Sequence, residues 1–61
     1  MNTRTIAVLD VDGESYQVDG CYQGQQRQAQ WYNVVKSNDG SVQVERLEEF
    51  PSHHKIRELL N

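Results

Sequence analysis

The sequence lacks most of the devices that stabilise small proteins. Its 61 residues include one cysteine, Cys21, and a single cysteine excludes an intramolecular disulfide. A chain of this length buries only about 60% of the surface that its unfolded form exposes. We therefore expect one domain, residues 1–61, with marginal stability that favours association with a second copy or with another protein.

Long apolar runs are absent as well. The stretch Ile6–Val11 is interrupted by Asp10 and is far shorter than the roughly 20 residues of a membrane span. It is also too short for the apolar region of a secretory signal. Together with the unpaired thiol of Cys21, this predicts a cytoplasmic protein with no membrane partner.

Positive charge is scarce, which bears on the class of partner. The net charge is −3 and the isoelectric point is near 5.1, so the chain as a whole repels a phosphate backbone. The middle of the chain differs, because residues 21–38 contain Arg27 and Lys36 and no acidic residue. Nucleic-acid binding is therefore the less favoured alternative.

The strongest local signal lies between Trp31 and Val44. Two runs rich in β-branched residues flank Asn38-Asp39-Gly40, which predicts a hairpin with Gly40 in the left-handed region. The predicted register places Val34 opposite Val44. It also places Tyr32 opposite Arg46. Two faces follow, with Tyr32, Val34, Val42 and Val44 on one and Trp31, Asn33 and Val35 on the other.

A first hairpin is predicted around Asp12-Gly13, a pair that favours a two-residue turn. Such a turn would place Leu9 opposite Tyr16, whereas a three-residue loop would place Val8 there. Both registers bury apolar side chains, so the pattern leaves the choice open.

A short helix is predicted after Pro51, with Ser52 as its N-cap. Ile56, Leu59 and Leu60 form one apolar stripe. Two helical turns are unstable alone, so this stripe must dock on the sheet or form the interface of a homodimer. The predicted α+β fold is an antiparallel sheet with strands at 4–11, 14–19, 30–36 and 41–47 and a helix at 53–60. The sheet is either open, with the helix across one face, or curled into a small barrel.

Three motifs in this pattern are similar to those of small SH3-like or Tudor-like barrels. They are Cys21–Tyr22, Trp31–Val35 and Asp39–Val44. The resemblance covers barely half of the chain and implies a barrel-like sheet. No functional residue is carried over from it.

Catalytic and metal-binding chemistry find little support. Cys21 with His53 or His54 as a base would be a nucleophilic pair, but no motif surrounds the cysteine. A metal set drawn from these histidines with Glu48 and Glu49 is disfavoured, because adjacent helical residues diverge by about 100°. We expect a non-enzymatic protein without metal or cofactor.

The aromatic residues are the best candidates for binding. Trp31, Tyr32 and Tyr22, with Arg27 and Lys36 nearby, are the predicted contact residues. We expect a protein-interaction module, a small regulator or inhibitor that binds another protein. The alternative is a small β domain that stacks single-stranded nucleic acid on these aromatic side chains. The burial of Trp31 separates a core role from a contact role.

Overall fold

Four antiparallel strands and one helix make up the computed structural model, which describes residues 2–60. The elements are β1 (Asn2–Val11), β2 (Glu14–Tyr22), β3 (Trp31–Lys36), β4 (Val42–Leu47) and α1 (His53–Leu60). The strands follow one another in the order β1-β2-β3-β4, so β1 and β4 are the two edges. The predicted α+β fold is confirmed, and the sheet is open rather than closed into a barrel.

The first turn selects between the two registers that the sequence allowed. Asp12 and Gly13 have φ of 52° and 83°, the left-handed pair that a two-residue hairpin turn requires. Leu9 consequently lies opposite Tyr16. β1 and β2 also extend further than predicted, because Asn2 pairs with Tyr22. Their register shifts between Thr5 and Ala7.

The second turn has the predicted Gly40 in the left-handed region, with φ of 76°. The backbone N–H of Gly40 donates to the carbonyl of Lys36 at 2.8 Å. The backbone N–H of Ser41 donates to the Asp39 carboxylate at 2.9 Å, and this bond lowers the pKa of Asp39.

The predicted register of the second hairpin is right at Val34, which pairs with Val44, and wrong on either side. Tyr32 lies opposite Leu47 rather than Arg46. Val42 lies opposite Val35, on the face of Trp31 rather than that of Val34. The cause is a pair of irregularities that each add one residue to β4.

The core lies between the sheet and α1. Val18, Val34 and Ile56 are fully buried. They pack with Val11 and Tyr16, and the partly buried neighbours of this cluster are Ala7, Leu9, Tyr32, Val44, Leu47 and Leu60.

The apolar stripe of α1 is used mainly within the chain. Ile56 is fully buried, and Leu60 packs against the core cluster. Of the three residues predicted for a homodimer interface, Leu59 is the one left largely exposed, at 39%. The helix therefore docks on its own sheet, in contact with β1.

Two polar contacts fix the position of α1 on the sheet. The backbone N–H of Lys55 donates to the Ser52 hydroxyl at 3.1 Å, which confirms the predicted N-cap. The Arg57 guanidinium binds the Asp12 carboxylate at 3.2 Å, so the helix is linked to the first turn.

Removal of this cap tests how far the helix depends on it. Ser52→Ala is expected to lower the free energy of unfolding by about 1 kcal/mol, because the Lys55 N–H loses its acceptor. Urea denaturation followed by circular dichroism measures the change. Ser52→Asp, which keeps an acceptor and suits the helix N-terminus, should retain the stability. Equal losses in both variants would contradict the capping role.

Candidate functional site

The sheet face opposite α1 is the candidate functional site, and we name it the open face. Side chains alternate along each strand, so every residue paired with an odd-numbered residue of β2 points away from the core. Its members are Thr3, Thr5, Val8, Asp10, Ser15, Gln17, Asp19, Cys21, Trp31, Asn33, Val35 and Val42. Within residues 2–60, α1 is the single helix and it packs on the other side.

Three valines on β1, β3 and β4, with Gln17 of β2 between them, form one row across the open face, which we name the valine row. Val8, Gln17, Val35 and Val42 are successive partners on the four strands. Val8 is 60% exposed and Val42 is 51% exposed. Fully burying a valine contributes about 1.5–3 kcal/mol, so this row has unused binding energy.

A polar row lies beside the valines and is already hydrogen-bonded within the chain. The Thr5 hydroxyl donates to the Asp19 carboxylate at 2.7 Å. The Gln17 side-chain amide donates to the Thr5 oxygen at 3.0 Å. These groups already hydrogen-bond to one another. A partner that covers this row therefore does not have to supply a hydrogen bond to every one of them.

Asn33 connects this row to the edge strand β4. Its side-chain nitrogen donates to the Cys21 sulfur at 3.6 Å, and its oxygen accepts the backbone N–H of Arg46 at 3.0 Å. Arg46 has φ of 60°, a left-handed conformation that is costly outside glycine. The bond from Asn33 holds the backbone of β4 at this irregular position.

The Arg46 guanidinium lies over the Trp31 ring, with its central carbon 5.2 Å from the ring centroid. This is a cation–π contact of about 0.5–1 kcal/mol at an exposed site. Trp31 itself is partly buried and lies on the side away from α1. Contact with α1 therefore does not explain why the Trp31 side chain is partly buried.

The other predicted contact residues do not join Trp31. Tyr32 is on the helix side, edge-on to Phe50 at 5.7 Å between ring centroids. Tyr22 is buried on that side, beneath the Arg4 guanidinium. Lys36 pairs with the core residue Tyr16, and Arg27 is exposed in the 23–30 loop. The three aromatic side chains thus do not form a single stacking platform.

Arg46 was missed by the sequence reasoning, although a signal for it was present. Val44 and Leu47 are apolar residues three apart in the sequence, and in the structure both contact the core cluster. In a regular strand, residues three apart point to opposite faces. An extra residue between them was therefore required, and it is this irregularity that brings Arg46 to Trp31.

A groove of about 680 Å³ lies where β4 leads into α1. Its apolar lining includes Leu47 and Phe50, and Phe50 is 47% exposed. Arg46 and Lys55 line it together with Glu48 and Glu49, so the groove has two positive and two negative side chains. Arg46 lines this groove and also contacts the Trp31 ring, so the groove and the Trp31 contact are continuous.

The residues considered for catalysis are separated by the sheet. Cys21 is 4% exposed and lies on the open-face side, whereas His53 and His54 begin the helix on the other side. His54 contacts Glu58 at 2.9 Å. Among residues 2–60, no three His, Cys, Asp or Glu side chains are grouped closely enough to hold a metal ion.

Comparison with known proteins finds no family model that matches the chain, and no curated protein or solved structure that is significantly similar to it. The single helix in residues 2–60 is too short and too polar to cross a membrane.

Proposed function

We propose that the protein is a non-enzymatic interaction module that binds another protein through its open face, with Trp31 and Arg46 at the centre of the contact. The observation that carries this proposal is the uncovered valine row beside a hydrogen-bonded polar row. Such a face presents apolar area to a partner while Thr5, Gln17 and Asp19 already hydrogen-bond to one another.

The chemistry of the face defines the partner. Val35 and Val42 match an apolar surface, and Arg46 matches a carboxylate next to it. An Arg stacked on a Trp combines two of the three residue types, Trp, Tyr and Arg, that most often dominate binding energies at protein interfaces. The expected partner is therefore a folded protein with an apolar patch bordered by an acidic residue.

The same charges argue against a nucleic-acid ligand. The open face carries Asp10 and Asp19 against the single Arg46 guanidinium at Trp31. A phosphate backbone laid across the strands would meet those carboxylates. Stacking of successive bases also requires aromatic side chains on one surface, and Tyr22 and Tyr32 face the helix side.

Affinity capture with matched variants tests this proposal. Wild-type protein and Leu59→Ser, altered on the helix surface, are expected to capture the same partner from a native lysate. Trp31→Ala is expected to weaken binding of the purified partner by about 2 kcal/mol, roughly 30-fold. Calorimetry measures the dissociation constants, and circular dichroism checks that each variant is folded.

Titration with oligonucleotides tests the alternative, in which the protein binds nucleic acid. RNA and single-stranded DNA should leave Trp31 fluorescence unchanged at low salt. Tight, salt-dependent quenching without any protein capture would replace the proposal with the nucleic-acid alternative. Capture that is insensitive to Trp31→Ala would move the site away from the open face.

A further inference from the structure

The two edges of the sheet are protected to different degrees. β4 has six residues, two shifts of register and the left-handed Arg46, all of which disfavour pairing with another strand. β1 has ten residues and one shift of register. Its Ile6 and Val8 are 41% and 60% exposed. β1 is therefore the edge that is open to pairing.

The hydrogen bonds of β2 determine which groups of β1 point outward. The carbonyls of Ser15 and Cys21 accept bonds from Ser37 and Gln30, so odd-numbered residues of β2 direct their backbone away from β1. Residues of β1 that lie opposite them must direct their own N–H and C=O to the free edge. These residues are Thr3, Thr5, Val8 and Asp10.

We propose that this edge binds the same edge of a second copy of the chain, as an antiparallel β1–β1 pair. Val8 then lies opposite Thr5 of the second copy, and Asp10 lies opposite its Thr3. A two-fold axis passes between the Ile6–Ala7 segments and repeats both pairs. Each pair joins two residues with outward backbone groups and exchanges two hydrogen bonds.

This register satisfies three independent conditions. Val8, Thr5, Asp10 and Thr3 all have side chains on the open face, as directly opposed residues must. Two residues, Ile6 and Ala7, separate Thr5 from Val8 in each copy, and Ile6 lies opposite Ala7 of the second copy, so the two irregularities match. No like charges are opposed, and the Thr3 hydroxyl meets Asp10 much as Thr5 meets Asp19 at 2.7 Å.

Self-complementarity is the reason to assign a second copy rather than an unrelated strand. An unrelated peptide would have to supply an irregularity at the matching position, which β1 of another copy supplies by symmetry. The pairing also covers Val8, which is the most exposed large apolar side chain among residues 2–60. The product is one continuous eight-stranded sheet with both helices on one face and both open faces on the other.

The inference does not depend on the proposed function, because it rests on the outward backbone groups of the β1 edge, whereas the proposed contact is centred on Trp31 and Arg46. A dimer that binds no other protein would support the inference alone. A monomer that binds a partner through Trp31 would support the proposed function alone.

Sedimentation and amide exchange of the intact chain test the pairing together. From micromolar to millimolar concentration, the mass should rise from 7.1 kDa towards twice that value. Over the same range, the amides of Thr3, Thr5, Val8 and Asp10 should gain protection from hydrogen exchange. A dimer without that protection uses another surface and overturns the inference, as does a monomer at every concentration.

Matched proline variants locate the edge. Val8→Pro removes an outward N–H that β2 does not use and should raise the dimer dissociation constant at least about tenfold. Val42→Pro makes the same change at the β4 edge and should leave the dimer intact. If Val8→Pro does not fold, Val8→Lys keeps the N–H and should also yield a monomer. A dimer that survives both Val8 variants overturns the pairing.

Discussion

Val34→Asp is expected to leave the protein unfolded at neutral pH, whereas Val35→Asp leaves it folded. Val34 is fully buried in the core, and its neighbour Val35 points to the open face. Deep burial raises the pKa of a carboxyl by up to about 3–5 units, and each unit corresponds to 1.36 kcal/mol. This loss of about 4–7 kcal/mol, together with about 1.5–3 kcal/mol from the lost burial of the valine side chain, is comparable to the total stability of roughly 3–9 kcal/mol expected for this length.

Circular dichroism and urea denaturation of both variants measure this difference. The pH dependence has a definite sign, because the folded-state pKa of the new carboxyl is the raised one. Destabilisation of Val34→Asp should be smallest below about pH 3.9, where the group is neutral in both states, and should grow as pH rises. Equal stability of the two variants would show that the two faces are assigned incorrectly.

Ile56→Ala is expected to lower the free energy of unfolding by about 2–5 kcal/mol. Ile56 is the helical side chain that is fully buried against the sheet, with Val18 and Val34 in the same cluster. Truncation removes apolar contacts and leaves a cavity, and both effects destabilise the folded state. Chemical denaturation gives the value directly.

Leu59→Ala is the matched control for this substitution, since Leu59 is on the same helix and 39% exposed. We expect it to lose well under half as much stability as Ile56→Ala. Similar losses would mean that α1 buries a different stripe. If Leu59→Ala dissociates a dimer of the protein, Leu59 belongs to the dimer interface.

Turn chemistry made most of the fold predictable. Asp12-Gly13 and Gly40 need positive φ, and each marked a hairpin that the structure contains. Ser52 marked the start of the helix, and Val34 opposite Val44 fixed the centre of the second hairpin. These signals are local, so neighbouring residues are sufficient to encode them.

The remaining features depend on contacts that local patterns do not contain. Asn2 and Thr3 belong to β1 because Tyr22 and Cys21 extend the opposite strand. Val42 changes face because an irregular strand loses the two-residue period on which the face assignment relied. Arg46 joins the candidate site for the same reason, since the irregularity between Val44 and Leu47 brings it to Trp31. Tyr32 lies on the face predicted for it, across the sheet from Trp31.

The left-handed backbone of Arg46 sets stability and recognition against each other at one position. A non-glycine residue in this conformation costs about 1–3 kcal/mol, and glycine would adopt it without that cost. Glycine would also remove the guanidinium from the Trp31 ring. Selection of variants for heat resistance alone would therefore favour replacement of Arg46, and selection for binding would retain it. The chain is thus built with a trade-off at the residue through which we propose it recognises its partner.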